Sequence, residues 1–306
     1  MQIIKRGLFT TIQDSGRHGY RHLGIPQSGA MDSRAQHHAN WLVANPPNAP
    51  VLECSFYGGI FRFERHQIIA ITGADMNPRL NDAPCEMYRS IEVKSGDVLA
   101  FGYAHTGTRT YIAIQGMSDI EQVMESYSTY VSGKFGGFEG RTLQTGDSLE
   151  WKNETPKNPN RVLSEHLRPH FSKTKNIIRV VCSPEWEQLS ADSQTLFEQA
   201  KYEVHADSNR MGIRLTGEAL RLKDNFSMTS SATLPGTIQL PTNGQPIVLM
   251  HDGQTTGGYA RIAKVIKADL GRLIQIPPKG NLHFKLIKTE EARQLFLHEN
   301  KKRFTI

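Results

Sequence analysis

The chain has 306 residues, of which 38% are hydrophobic and 22% charged, and a formal net charge of +6. This balance excludes an intrinsically disordered chain, and no apolar run approaches the ~20 residues that span a membrane. The basic residues are spread out and do not alternate with aromatic ones, so nucleic-acid binding is not expected. The N-terminus lacks a signal-peptide core and the cysteines form no CxxC pair, which predicts a cytoplasmic protein with reduced thiols.

The first half of the chain predicts a β-rich domain over residues 1–151. Its apolar runs predict strands at 8–12, 51–54, 59–63, 66–72, 87–93, 98–101 and 110–115. Asp32 is a suitable N-cap for a short helix. Ser118 and Glu121 have the spacing of a capping box and predict a second helix, and a strand pair is expected over 143–151.

Residues 152–176 are polar and contain three prolines, which predicts a linker or a long surface crossing. The rest of the chain, 177–306, predicts a second β-rich domain with a C-terminal helix from Thr289. Its strands are predicted at 177–182, 202–205, 212–215, 238–240, 247–250, 263–268, 272–276 and 282–286. Helices are also expected after Pro184 and over 193–200.

The two halves share one loosely similar pattern. VKSGDVLAFGYAHTGTRTYIAI begins at Val93, and IKADLGRLIQIPPKGNLHFKLI begins at Ile266. Each predicts a strand, a turn containing glycine, a second strand, a loop and an alternating strand. The sequence therefore indicates two related β-barrels in tandem, produced by duplication.

The stretch from Ser230 to Ala263 combines glycines, prolines and small polar residues around a short apolar strand at 247–250. The loop after this strand reads DGQTTGGY from Asp252. Its glycines could bring exposed backbone amides close to a ligand. A tight corner of a barrel has the same composition, so composition alone leaves both interpretations open.

Other polar residues also lie in loops rich in glycine. Asp14 and Arg17 occur in QDSGR, and Asn209 and Arg210 occur in SNRMGIRL. TGADM holds Thr72, Gly73 and Asp75. Aspartate commonly stabilises turns, and a buried arginine is commonly ion-paired, so structural roles stay open beside ligand binding. The P-loop, GxSxG, HExxH and GxGxxG signatures are absent, and no metal site is expected.

Several ordered blocks carry a resemblance to a known family. They are TTIQDSGRHGYRHLGIPQSGAMD, LECSFYGGIFRF, ITGADM, SNRMGIRL, PGTIQLPTNGQPIVLM and DGQTTGGYARIAKVIKADLG. Together they resemble the biotin-dependent carboxyltransferase subdomain A and B family, also called allophanate hydrolase subunit 2, from Gly7 to about Leu286. The resemblance implies a mainly β chain with a few short helices, built as two cyclophilin-like β-barrel domains in tandem.

The resemblance also implies an activity. The chain's length and its DGQTTGGY loop are most similar to family members that serve as one component of an ATP-dependent 5-oxoprolinase, which hydrolyses 5-oxo-L-proline to L-glutamate. Such members work with an allophanate hydrolase subunit 1-like partner, the B subunit of 5-oxoprolinase, and with an A subunit of the LamB/YcsF type. ATP is the implied cofactor, bound by this chain or shared with a partner. Biotin is not expected, because the chain has no biotin-attachment signature.

The alternatives are a regulatory protein that antagonises a histidine-kinase inhibitor, and a carboxyltransferase component of a biotin-dependent urea carboxylase. Because the polar, glycine-rich blocks carry the resemblance, we expect them to line a site that is completed by a partner protein. The predicted catalytic residues are Asp14, Asp252 and Arg210. The predicted substrate-binding residues are Arg17, Thr72, Gly73, Asp75, Asn209, Gln254, Thr255, Gly257, Gly258 and Tyr259.

Overall fold

The computed structural model describes residues 1–152, 157–171, 176–223 and 226–304. Its contacts form two compact units. The first consists of Met1–His18 and Ser28–His170, and the second of Gly19–Gln27 and the described residues from Phe171 onward. None of the helices in these ranges is long and apolar enough to cross a membrane.

The first unit contains one helix and two five-stranded sheets. In chain order its elements are β1 (Gln2–Lys5), β2 (Phe9–Gln13), α1 (Ser33–Leu42), β3 (Val51–Ser55), β4 (Tyr57–Arg62), β5 (Gln67–Asp75), β6 (Arg79–Leu80), β7 (Ala83–Pro84), β8 (Ser90–Val93), β9 (Val98–Tyr103), β10 (Thr106–Ile114), β11 (Met117–Ser118) and β12 (Trp151–Lys152). The strand orders are β1-β4-β9-β6-β7 and β2-β3-β10-β5-β8.

The core of the first unit lies between these sheets, because alternate residues of each strand point inward. Buried Phe61 and Leu99 from one sheet join Leu52, Ile71 and Ile112 from the other in one apolar cluster. The opposite face of β3, β10 and β5 packs against α1. As predicted, Asp32 caps this helix, and its side chain accepts a hydrogen bond from the Ala35 N–H at 3.1 Å.

Two predictions for the first unit are wrong, namely the helix after Ser118 and the strand pair over 143–151, of which only Trp151 lies in a strand, β12. No helix follows Ser118, because this residue pairs with Trp151 in the β11–β12 ladder and its hydroxyl accepts a hydrogen bond from the Ile120 N–H. The stretch 152–176, predicted to be a linker or a long surface crossing, contains Leu163 and Leu167, which are buried among apolar residues of the first unit. Residues 153–156 and 172–175 of that stretch lie outside the described residues.

The second unit contains a closed barrel with the strand order β13-β20-β17-β18-β15-β14-β21. Its elements are β13 (Ile177–Cys182), α2 (Ala191–Gln199), β14 (Tyr202–Val204), β15 (Gly212–Thr216), β16 (Ser231–Ala232), β17 (Thr237–Leu240), β18 (Ile247–Leu249), β19 (Thr256–Gly257), β20 (Ala260–Val265), α3 (Lys267–Ile274), β21 (Asn281–Leu286) and α4 (Thr289–Phe304). The barrel closes through parallel pairing of β13 with β21. The mainly β fold with a barrel is therefore confirmed.

The second unit corrects two further predictions. The strand expected at 272–276 falls mostly within helix α3, which also breaks the pattern of the internal repeat. Helix α3 is held by its buried Asp269, which accepts hydrogen bonds from both the backbone and the guanidinium of Arg179. After Pro184 the chain forms only a 3₁₀ turn, Trp186–Gln188.

Candidate functional site

A row of polar side chains crosses the sheet of the first unit. Strand register places Thr11 opposite Glu53, Glu53 opposite Tyr111, and Tyr111 opposite Thr72. All of these side chains are fully buried on the face that packs against α1. A buried polar group must be hydrogen-bonded to be tolerated, so this row depends on well-defined partners.

Glu53 is the centre of this polar row. Its carboxylate accepts hydrogen bonds from the Met31 N–H at 2.8 Å and the Tyr111 hydroxyl at 2.9 Å, and Arg109 lies 3.8 Å away. The Tyr111 hydroxyl in turn accepts the Asp32 N–H at 2.8 Å. Burial raises the pKa of Tyr111 well above its ordinary value. The row therefore fixes the backbone just before α1, and sequence analysis did not single out its members Glu53 and Tyr111.

Asp14 and Arg17 are both buried, and both form hydrogen bonds with Ser128. The Asp14 carboxylate accepts hydrogen bonds from the backbone of Gly16 and Tyr127 and from the hydroxyls of Ser126 and Ser128. Arg17 donates to the carbonyls of Val123 and Ser128 and stacks over the ring of Phe135. These contacts make the pair a support for the loop after β11.

The TGADM segment is buried at Thr72 and Gly73 and exposed at Asp75. The Thr72 hydroxyl donates to the Ala35 carbonyl of α1 at 2.7 Å, and the Gly73 carbonyl accepts the Tyr88 hydroxyl at 2.6 Å. Gly73 has a φ of +87°, and a Cβ there would lie 2.4 Å from the Arg109 carbonyl oxygen, so glycine is required for packing. Asp75 is exposed and accepts the Asn77 N–H, as in an aspartate turn.

In the second unit, Arg210 and Asp252 form a buried bidentate ion pair. Arg210 Nε lies 2.8 Å from Asp252 Oδ2, and Nη2 lies 3.1 Å from Oδ1. Both side chains are 6% exposed. The Asp252 N–H also donates to the Arg210 carbonyl, which joins the two loops. Neighbouring Asn209 accepts the Met211 N–H in a turn.

The predicted ligand loop, 252–259, lies along the segment that contains β16. Ser231 and Ala232 pair with Gly257 and Thr256. Thr233 donates its backbone N–H to the Thr255 carbonyl and its hydroxyl to the Gln254 carbonyl. The loop is thus held through its backbone, while the side chains of Gln254 and Tyr259 are exposed.

Three polar atoms beside this loop are buried without a hydrogen-bond partner among the described residues. They are Gln239 Nε2, Ser231 Oγ and Arg21 Nη1. Gln239 uses its oxygen to accept the Gln254 amide at 3.1 Å, and Arg21 donates through Nη2 to the Thr233 carbonyl at 2.7 Å. Sequence analysis missed these residues. We call Arg21, Ser231, Thr233, Gln239 and Gln254 the amide cluster.

A second arginine, Arg261, contacts the same segment but is neutralised. It binds both carboxylate oxygens of Glu185, at 2.7 and 2.8 Å, and donates to the Ala232 carbonyl. Hydrogen bonds from Arg261 lower the pKa of Glu185.

Because this folded-state pKa is lowered, the stabilisation by Glu185 is present above its unfolded pKa and is lost as the pH falls through the folded value. We therefore expect Glu185→Gln to be less stable than the wild type at neutral pH. The difference should begin to shrink near about pH 4, where the unfolded carboxyl protonates, and should disappear below the lowered pKa of the folded state. Thermal unfolding of both proteins between neutral and acidic pH measures this, and a difference independent of pH would contradict the ion-pair assignment.

Within the described ranges, no group of three or more His, Cys, Asp or Glu side chains is placed to bind a metal ion.

The sequence that forms these elements and loops matches a known family. The family model for the carboxyltransferase domain, subdomain A and B, matches residues 23–286. The chain belongs to this family. The match includes Glu53, Thr72 and Tyr111 of the polar row and every member of the amide cluster except Arg21.

Two relatives within the family are similar over nearly their whole length. The chain is 39% identical over 293 residues to the C subunit of the Escherichia coli 5-oxoprolinase, covering 95% of this chain and 93% of the relative. It is 36% identical over 285 residues to the protein of that name from Haemophilus influenzae, covering 93% and 90%.

A solved structure, the urea carboxylase of Kluyveromyces lactis, has the same fold. It superposes with a TM-score of 0.94 at 30% identity and matches 99% of this chain. This chain spans only 28% of that longer protein.

Proposed function

We propose that the protein is the C subunit of a cytoplasmic, ATP-dependent 5-oxoprolinase that hydrolyses 5-oxo-L-proline to L-glutamate with partner proteins. The observation that carries this proposal is the 39% identity to the C subunit of a 5-oxoprolinase over 93% of that relative's length. The proposed partners are a B subunit, similar to allophanate hydrolase subunit 1, and an A subunit of the LamB/YcsF type.

The chemistry of this reaction explains the need for ATP. An unstrained amide is a poor electrophile, and transfer of a phosphoryl group from ATP to its oxygen, with release of ADP, makes the carbonyl carbon more reactive. Water can then add to this carbon, the ring C–N bond breaks as the nitrogen takes up a proton, and hydrolysis of the resulting acyl phosphate gives glutamate and phosphate. The predicted site residues Asp14 and Arg17 support a loop, whereas the buried donors of the amide cluster, Gln239 Nε2 and Ser231 Oγ, are available to bind the substrate.

The charges of the amide cluster favour binding of ATP largely by a partner protein. A triphosphate carries several negative charges and is commonly held by a P-loop or by several cations. In the described part of the cluster, Arg21 is a cation without a carboxylate partner, whereas neighbouring Arg261 is neutralised by Glu185. This balance fits a small substrate better than a nucleotide.

The choice of substrate tests the proposal. The purified chain is combined with the A and B subunits, and separate reactions contain 5-oxo-L-proline with ATP, or urea with ATP and bicarbonate. We expect glutamate to form in the first reaction and its rate to be insensitive to avidin. Consumption of ATP dependent on urea, or inhibition by avidin, would instead support a biotin-dependent carboxyltransferase.

That second candidate function has one specific observation in its favour, the TM-score of 0.94 with a urea carboxylase. The match covers 28% of the urea carboxylase chain, whereas it covers 93% of the E. coli 5-oxoprolinase component. The length of the match therefore favours the 5-oxoprolinase assignment.

A further inference from the structure

We propose that Arg21, with Gln239 and Ser231, binds the carboxylate of the substrate, a small cyclic amide that carries one negative charge. This inference rests on the proposed function for the identity of the substrate. The site lies within the second unit, because Gly19–Gln27 belong to that unit by their contacts.

The first step of the argument is the charge of Arg21. Its guanidinium makes a hydrogen bond to the Thr233 carbonyl, and the described residues supply no carboxylate for it. Its Nη1 atom is buried without a partner. Burial also lowers the pKa of Arg21. An incompletely bonded, partly desolvated guanidinium is costly, and a bound anion removes that cost.

The second step is the neutral donors around it. Gln239 is 1% exposed, and its oxygen is occupied by the Gln254 amide, so its Nε2 is left to donate. The register that pairs Ser231 with Gly257 places the Ser231 hydroxyl in the same cluster. Buried donors without partners are rare in folded proteins, which indicates that a ligand oxygen completes them.

The third step is the space beside the Gln239 amide. A Cβ at Gly257 would lie 2.5 Å from Gln239 Nε2. Glycine at this position therefore keeps the surroundings of the donor clear of a side chain. The φ of Gly257 is not among the positive values in the chain, so turn geometry alone does not require glycine there.

The fourth step is the number of charges. Arg261 is paired with Glu185 and Arg210 with Asp252, so Arg21 contributes the net positive charge of the described cluster. One guanidinium and two neutral donors match a carboxylate, which carries one charge on two oxygens. A polyphosphate would leave most of its charge unbalanced.

The test compares 5-oxo-L-proline with 2-pyrrolidinone, the same lactam without the carboxylate. Both are measured with the complex reconstituted from wild type, Arg21→Met, Arg21→Lys and Arg214→Met. Arg214 is a matched control because it is an exposed arginine of the same unit. Calorimetric titration with 5-oxo-L-proline in the absence of ATP gives an independent readout of binding.

We expect Arg21→Met to raise KM and Kd for 5-oxo-L-proline roughly 10- to 100-fold, the loss expected for a charged hydrogen bond. Arg21→Lys should fall between Arg21→Met and the wild type, and Arg214→Met should match the wild type. Activity on 2-pyrrolidinone should be equally poor in all four proteins, because it lacks the group that Arg21 binds.

Different outcomes separate the two proposals. Unchanged KM and Kd for 5-oxo-L-proline in Arg21→Met, with a lower melting temperature, would show a purely structural role and overturn the inference while the proposed function stands. If Arg21→Met does not fold, Gly257→Ala replaces it, because its methyl group displaces the Gln239 amide and should also raise Kd. Failure of the wild-type complex to form glutamate would overturn both the proposed function and the substrate assigned to Arg21.

Discussion

Asp252→Ala is expected to lower the free energy of unfolding by about 3–5 kcal/mol, the usual cost of removing one partner of a buried ion pair. Arg210 and Asp252 are each 6% exposed, so the buried arginine would lose two hydrogen bonds to this carboxylate. The loop from Asp252 would also lose its anchor beside β15. Chemical denaturation of the wild type and the variant measures this difference.

Two matched variants show whether the ion pair itself causes the loss. Asp207→Ala removes an aspartate that is 79% exposed, and its effect should be within experimental error. The double variant Arg210→Met with Asp252→Leu should recover much of the stability, because both buried charges of the pair are removed together. A loss below about 1 kcal/mol for Asp252→Ala would contradict this description of the pair.

Glu53→Leu is also expected to lower the free energy of unfolding by about 3–5 kcal/mol, because it removes a different set of buried contacts. The substitution removes the acceptor of the Met31 N–H and of the Tyr111 hydroxyl, and it removes the carboxylate that lies 3.8 Å from Arg109. Because Glu53 is fully buried, water cannot replace these bonds without opening the sheet face. Denaturation curves measure the loss in the same way.

The control for Glu53 is Glu92→Leu, the same substitution on an edge strand of the same sheet, where the side chain is half exposed. We expect its effect to be small. The loss of unfolding free energy for Glu53→Gln should lie between those of Glu53→Leu and Glu92→Leu. Its amide retains one acceptor oxygen but not the negative charge that faces Arg109. Equal stabilities of Glu53→Leu and Glu92→Leu would show that the polar row does not support the fold.

Much of the strand pattern could be predicted because alternation and burial leave a direct trace in the sequence. The strand around Ile247 and the helix capped by Asp32 are examples. The failures have long-range causes. Ser118 has the spacing of a capping box but pairs with Trp151, which is distant in the chain, and α3 is stabilised by the contact of Asp269 with Arg179.

The candidate site shows the same limit. The sequence indicated the loop at Asp252 through its glycines, and the structure places it against the segment that holds Ser231. It did not indicate Gln239, because a single polar residue in a short strand has no distinctive spacing. The sequence did not indicate Arg21 either. Its guanidinium donates a hydrogen bond to the Thr233 carbonyl, which is distant in the chain.

The most direct test of the proposed role is whether glutamate formation requires this chain. The A and B subunits are incubated with 5-oxo-L-proline and ATP, with the chain either present or omitted, and glutamate is quantified over time. We predict glutamate formation only when the chain is present, and loss of most of that activity with Arg21→Met at substrate concentrations below KM. Equal rates with and without the chain would contradict the assignment.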